Sequence, residues 1–237
     1  MISFIVPAHN EEALLADTLR ALRAAAEALR PREPYEIIVV DDASDDRTAA
    51  IATDLGVIVV SAQVRQIAAA RNAGARRAKG DRFVFVDADT ILPAATLQAA
   101  VAALDAGAAG GGAAIDVDPG PPRWGPPLMH AVSRFMRLCR WAAGCFIFAR
   151  RDIFECIGGF DERYFASEEI HLSRALKRHG RVVVLREPVI TSNRKARLLT
   201  VRQLVWQFIR AAWPATLRSR DRLPLWYGGY RERTKEE

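Results

Sequence analysis

Asp87 and Asp89 stand one residue apart at the end of Phe83-Val84-Phe85-Val86, an apolar run with the aromatic and β-branched composition of a buried strand. Two carboxylates at a sheet edge are hard oxygen donors and invite a hard cation. Strand side chains alternate between faces, so residues 87 and 89 are expected to point the same way. The alternative is that Asp87 caps the next segment while Asp89 is a solvated turn residue. Two further polar clusters also follow apolar runs: Pro7 to Glu11 after Ile2 to Val6, and Asp41 to Asp46 after Ile37 to Val40. A third acidic group, Glu168-Glu169, opens a helical pattern that carries Ile170, Leu172 and Leu176 and stops at Gly180.

The elements that must position these groups alternate. Ile2 to Val6 reads as a strand. Asn10 then takes the place of a helix N-cap, with Glu11 and Glu12 in the first turn, and Leu15, Leu19, Leu22, Ala26 and Leu29 follow at helical spacing up to Pro31 and Pro34. Ile37 to Val40 is a second strand, ended by Asp41 and Asp42. A short helix through Thr48, Ile51 and Leu55 stops at Gly56, and Val57 to Val60 is a third strand. Ile67 to Ala78 is a helix ended by Gly80, and Phe83 to Val86 is the fourth strand. This order predicts an α/β fold with a mostly parallel sheet covered by helices, whose ligands collect at the carboxyl ends of the strands. All three polar clusters then share one edge. Beyond Leu104, a Gly/Ala-rich stretch, Gly107 to Ala114, leads into Ile115 to Val117, and five prolines from Pro119 to Pro127 mark a connector or a flap. Leu128 to Trp141 follows as a helix, Cys145 to Ala149 as a strand, Gly158 to Glu162 as a tight turn, Glu168 to His179 as a helix and Val182 to Leu185 as a strand.

Composition narrows the classes. The 237 residues are half hydrophobic, enough to bury a large core. Cys139, Cys145 and Cys156 have no metal-ligand spacing and read as buried thiols of a reducing compartment. No signal-like leader precedes the first strand, and no stretch long enough to cross a bilayer avoids charge, so a cytoplasmic location is expected, with peripheral contact at the inner membrane face as an option. There is no Gly-x-Gly-x-x-Gly after the first strand and no phosphate-loop motif, which weighs against dinucleotide and NTPase sites. The net charge of +6 is uneven, since after Asn193 arginines and lysines recur with Asp221 as the sole acid before Glu232. Such a tail is either a solvated face or a surface for an anionic partner. No helix-turn-helix, zinc-finger or RNA-recognition signature supports nucleic acid.

Taken in order, Val6-Pro7-Ala8-His9-Asn10-Glu11-Glu12, Val40-Asp41-Asp42-Ala43-Ser44-Asp45-Asp46-Arg47-Thr48, Ala70-Arg71-Asn72-Ala73-Gly74, Ala78-Lys79-Gly80-Asp81, Phe85-Val86-Asp87-Ala88-Asp89 and Gly158-Gly159-Phe160-Asp161-Glu162 resemble family 2 glycosyltransferases of the GT-A fold over roughly residues 1 to 190. The resemblance implies a UDP- or GDP-sugar donor whose diphosphate is neutralised by Mg²⁺ or Mn²⁺, with the metal held by one or two carboxylates and by phosphate oxygens. It makes Asp89 the direct metal ligand and places Asp87 by the ribose and the metal waters, with Ala88 between them. Asp42 would meet the base edge, while Pro7, Ala8, Asn10 and Glu11 would line the nucleoside. Arg65 is either a base or diphosphate contact or a surface arginine, and His9 is expected to pack beside the base. Inversion at the sugar needs a base opposite the leaving diphosphate, which the family draws from a Glu-Asp pair after the Gly-Gly-Phe-Asp-Glu turn. Here the pair is Glu168-Glu169: Glu169 stands at the base position and Glu168 is the fallback, with a side chain one methylene longer than Asp where about an ångström matters. His171 and Asp161 are secondary polar candidates.

Processive relatives carry Gln-x-x-Arg-Trp after this helix, whereas this chain has Gln203 and Gln207 without an Arg-Trp pair, which favours transfer of one sugar. The expected organisation is a GT-A domain over 1–192, with a nucleotide half at 1–104 and an acceptor half at 105–192, followed by a helical basic extension at 193–237. In that extension Val201, Leu204, Val205, Phe208, Ile209 and Ala212 form an apolar stripe. It either brings the enzyme to a lipid-linked acceptor at a membrane surface or packs on the catalytic domain. Two other readings stay open. A non-catalytic nucleotide-binding or membrane-docking protein of the same fold would account for the Glu-Glu departure, and a nucleotidyltransferase would need a Gly-rich basic loop that Pro7-Ala8-His9-Asn10 does not supply.

Overall fold

The computed structural model describes residues 1–118 and 133–192. Its first half is built from β1 (Ile2–Ala8), α1 (Leu15–Ala28), β2 (Tyr35–Asp42), α2 (Thr48–Asp54), β3 (Ile58–Ala62), α3 (Ile67–Arg77) and β4 (Arg82–Val86). Then come β5 (Thr90–Ile91), α4 (Ala94–Asp105), β6 (Ala108–Asp118), a helical stretch α5 (133–139), β7 (Phe146–Arg150), α6 (Arg151–Cys156), α7 (Glu168–Leu176) and β8 (Arg181–Ser192). The eight strands form one sheet in the order β3-β2-β1-β4-β7-β6-β8-β5. Strands β3, β2, β1 and β4 run parallel, β7 is antiparallel to both neighbours, and β6 and β8 are again parallel. The expected α/β fold with a mostly parallel, helix-covered sheet is therefore the one observed. Strand order reverses at β1, whose neighbours β2 and β4 lie on either side. That reversal opens a crevice at the carboxyl ends of β1 and β4.

The strands read as continuous apolar runs because both faces of the sheet are covered. On one face Phe4, Val6, Val84, Val86, Phe146 and Phe148 pack with Leu15, Leu19 and Leu22 of α1 and Leu97 and Leu104 of α4. On the other, Ile5, Phe83, Phe85 and Ile147 meet Ala68, Ala70 and Ala75 of α3, Phe154 of α6, and Leu172 and Leu176 of α7. Each large side chain fully buried in this way contributes about 1.5–3 kcal/mol. Phe85, Phe154 and Phe160 make a cluster with ring centroids 5.0 to 5.6 Å apart, which carries the core up to the polar edge.

Several boundaries differ from the sequence reading, each for a nonlocal reason. Asn10 is not a helix cap. It lies at φ 53°, and the helix begins at Leu15, because Asn10, Glu11 and Glu12 donate their backbone N–H groups across to Ser44 Oγ, Thr48 Oγ1 and Asp46 Oδ2. Asp41 and Asp42 do not end β2 but are its last paired residues, opposite Ser61 and Ala62 of β3. Strand β3 itself starts one residue later and ends two residues later than expected. Gly80 does not terminate α3, which closes at Arg77. Gly80 serves the link into β4, where an added Cβ would lie 2.7 Å from the Met1 carbonyl oxygen.

Strand β4 stops at Val86, so Asp87 and Asp89 sit in a turn, closed by Thr90 N–H donating to the Asp87 carbonyl, and strand alternation does not govern them. Of the stretch Gly107 to Ala114, Gly107 lies in the turn before β6 and the remaining residues are the first part of that long strand. At Gly111 an added Cβ would sit 1.8 Å from the Val183 carbonyl oxygen, so glycine alone lets β8 approach. Helices α4 and α6 and the short β5 carry no expectation from the sequence, and β8 extends to Ser192. Of the expected helix 128–141, residues 133–139 are helical. The proline segment and the extension at 193–237 lie outside the described residues.

Candidate active site

Arg71 is the centre of the polar edge, although it projects from α3 and is 1% exposed. Its Nη1 donates to Glu168 Oε1 at 2.6 Å, and its Nη2 donates to Asp87 Oδ1 at 2.9 Å and to the Gly144 carbonyl at 2.6 Å. The guanidinium lies over the Phe160 ring, 5.2 Å from its centroid. One side chain thus joins the turn after β4, the turn before β7 and the first turn of α7. Burial alone would lower the Arg71 pKa, but the charges of Asp87, Glu168 and Glu169 outweigh it and raise it, so the cation is permanent.

Glu168 is buried, while Glu169, one residue on, is half-buried beside Gly144. A Cβ built on Gly144 would be 3.7 Å from Arg71 Nη2 and 3.9 Å from Glu169 Oε2, so both groups border the same small space. Burial, and then the charge of Glu168, push the Glu169 carboxyl up to about 8. A half-buried carboxyl with raised proton affinity is suited to taking a proton from an incoming hydroxyl. Ser167, at φ 60°, turns the chain into α7 and so presents the two glutamates side by side. The preceding turn is fixed from α3. Asn72 donates to the Phe160 carbonyl and accepts its N–H, and also donates to Glu162. Gly158 and Gly159 supply the left-handed backbone there, at φ 80° and 76°.

On the other side of the crevice, Asp42 accepts three backbone N–H groups, from Val64 and Arg65 on Oδ1 and from Gln66 on Oδ2. A carboxylate has about four acceptor positions, so one is left for a ligand. Arg65, at φ 48°, reaches His9 at the end of β1, Nη1 to Nδ1 3.3 Å. Asn10 pairs reciprocally with Asp45 through its side-chain amide. Pro7 and Ala8 end β1, and Glu11 is buried behind them. His9, Asp42 and Arg65 therefore converge, while Asn10 and Glu11 belong to the loop bracing them. Asp41 faces away from Asp42 and keeps one buried oxygen without a hydrogen bond.

Among the described residues no three His, Cys, Asp or Glu side chains are grouped closely enough to enclose a metal. The donor set that is present, Asp87 and Asp89, still suits Mg²⁺ or Mn²⁺, which take one or two carboxylates and complete their shell with phosphate and water oxygens. Asp87 gives one oxygen to Arg71. The Cys145 thiol is pushed up by burial and by the charges of Asp87 and Asp89, so it stays protonated and offers no thiolate to a soft metal. Ala88 is buried between the two acids. Tyr164 and His171 stack at 3.8 Å on the α7 side, and Asp161 pairs with Arg163.

Sequence reasoning gave Arg71, Asn72 and Gly144 no role. The adjacent Arg71-Asn72 pair, two polar residues inside an otherwise alanine-rich helix, was the available signal for the first two.

Residues 3–158 match the family model described as Glycosyl transferase family 2. The chain belongs to glycosyltransferase family 2. A relative from Pseudomonas aeruginosa strain LESB58, undecaprenyl-phosphate 4-deoxy-4-formamido-L-arabinose transferase, is 31% identical over 202 residues, which cover 76% of this chain and 59% of the relative. Among solved structures, the Pyrobaculum calidifontis mannosyltransferase PcManGT, in complex with GDP-Man and Mn²⁺, superposes with a TM-score of 0.66 at 24% identity over 92% of this chain and 62% of its own. Staphylococcus aureus TarS 1-349 in complex with UDP gives 0.64 at 20% over 81% and 60%. These likenesses place the family 2 chain in the GT-A fold. It spans less than two thirds of the length of each of these proteins.

Proposed function

We propose that this family 2 chain transfers one sugar from a nucleotide-diphosphate sugar to an acceptor hydroxyl, with metal assistance and inversion at the anomeric carbon. The observation that carries the reading is the buried Arg71, which holds Asp87 and Glu168 at once and so sets the Asp-Ala-Asp turn and the glutamate pair on two sides of one crevice. The complexes of structural relatives with GDP-Man and Mn²⁺ and with UDP support a UDP- or GDP-sugar.

Asp89, with Asp87 beside it, would hold Mg²⁺ or Mn²⁺. When bound, the ion supplies charge neutralisation to the diphosphate, which makes it a better leaving group. The remaining acceptor position of Asp42 would take an N–H of the base, with Pro7, Ala8, Asn10 and Glu11 shaping the nucleoside pocket. Arg65 would face base or diphosphate, and Asp87 and Ala88 the ribose. Glu169 would take the acceptor's proton as its oxygen attacks, with Glu168 fixed by Arg71 behind it. Residues 1–104 would then form the donor half and 105–192 the acceptor half.

The relatives named for undecaprenyl-phosphate favour a lipid-linked acceptor, with the basic extension at 193–237 as the membrane contact. No helix of the described residues is long and apolar enough to cross a membrane. The absent Gln-x-x-Arg-Trp motif supports transfer of a single sugar.

The deciding experiment is a panel of UDP- and GDP-sugars with Mn²⁺, read by calorimetry and by donor hydrolysis. Binding of at least one donor that is lost with EDTA is expected. A panel that gives neither binding nor hydrolysis defeats the transferase reading.

A further inference from the structure

We propose that Arg71 is the positioning residue of this site: its two terminal nitrogens set the spacing between the carboxylates of the donor side and the glutamates of the acceptor side. The inference rests on the transferase reading above. Nη2 is committed to Asp87 and Gly144, and Nη1 to Glu168, while the Phe160 ring fixes the plane between them. A guanidinium is rigid and planar, so two contacts on different nitrogens act as a ruler. A lysine ammonium is a single point on a flexible stem and cannot hold both partners. The side chain is 1% exposed, so water does not replace a lost partner.

The same cation faces Asp87, Glu168 and Glu169, which come from the turn after β4 and from the first turn of α7. Neutralising Asp87 therefore changes the pull on Glu168, and the reverse. Base placement is sensitive to about an ångström, so a donor-side change reaches the acceptor side through this one group.

Thermal unfolding of the full chain tests the coupling. Asp87→Asn, Glu168→Gln and the double variant are compared with Arg71 present and in Arg71→Met and Arg71→Lys backgrounds, the lysine serving if the methionine background does not fold. With Arg71 present the two substitutions are expected to be non-additive by about 3 °C or more, and without it to add. Additivity with Arg71 present overturns the proposal. A second measurement separates positioning from simple destabilisation. With GDP-mannose or UDP-N-acetylglucosamine and Mn²⁺, Arg71→Lys is expected to bind donor within about threefold of the parent while donor hydrolysis falls about 100-fold. Hydrolysis at the parent rate also overturns it. A parent that binds no donor defeats the transferase reading instead, and the unfolding cycle still decides the role of Arg71.

Discussion

Asn72 and Phe160 exchange two hydrogen bonds, Nδ2 to the carbonyl at 2.9 Å and backbone N–H to Oδ1 at 2.9 Å, so a helix side chain takes the place of a strand partner for the turn before α7. Both groups are buried, and removing the amide leaves two backbone groups unpaired. Asn72→Ala is expected to cost about 2–4 kcal/mol of stability. Asn72→Asp is expected to be at least as damaging, because its second oxygen would face the Phe160 carbonyl and Glu162. Urea unfolding of the two variants checks both the size and the order.

Asp42 anchors the segment before α3 through three backbone N–H groups. Asp42→Ala is therefore expected to free residues 64–66 as well as weaken nucleotide binding. Hydrogen exchange at these three amides should rise by about tenfold or more, since charge-assisted bonds of this kind contribute about 1.5–3 kcal/mol each. Unchanged protection would mean that the carboxylate is not the anchor.

Glu169 ties pH to both stability and rate. Its folded pKa, raised from 4.5 to about 8, means that the native state holds a proton that the unfolded chain has released. The contribution is full below about 4.5 and is lost as pH rises through about 8. Thermal midpoints of the parent should fall across that interval. Glu169→Gln should flatten the fall and be the more stable protein at alkaline pH, while lowering transfer about 10²–10⁴-fold. The parent kcat/KM for acceptor should climb with pH and level off above about 8.

Gly144 offers a substitution that should spare the fold. A Cβ there meets nothing closer than 3.7 Å, yet it occupies the space between Arg71 Nη2 and Glu169 Oε2. Gly144→Ala is expected to keep its melting temperature and its donor affinity while transfer drops about tenfold or more, because the acceptor hydroxyl must come within about 2.6–3.2 Å of the base. Parallel measurement of donor affinity and of rate distinguishes this from a general loss.

Asp89→Asn should remove the Mn²⁺ dependence of donor binding, since an amide oxygen is a far weaker partner for a hard divalent cation than a carboxylate. The loss should not be restored by raising Mn²⁺ tenfold. Calorimetry of the variant against the parent gives the answer directly.

Neighbours along the chain are enough to set the local parts of the fold. Ile2 to Val6, Ile37 to Val40 and Phe83 to Val86 are strands because apolar, β-branched and aromatic runs fit a sheet covered on both faces. Leu15, Leu19 and Leu22 are buried because helical spacing puts them on one side. The three polar clusters fall at one edge because parallel strands linked by helices must all end there. Other features depend on residues far apart in the chain. Helix α1 starts late because Ser44, Asp46 and Thr48 capture the preceding amides, and β6 is a strand because Phe148 and Val183 lie against its glycines. Arg71 and Glu168 are 97 residues apart in the chain, and nothing local to either marks the other as its partner. Local periodicity fixes which way a side chain faces, whereas the choice of partner for a buried charge is made only when the folded chain excludes water and leaves a few opposite charges within reach.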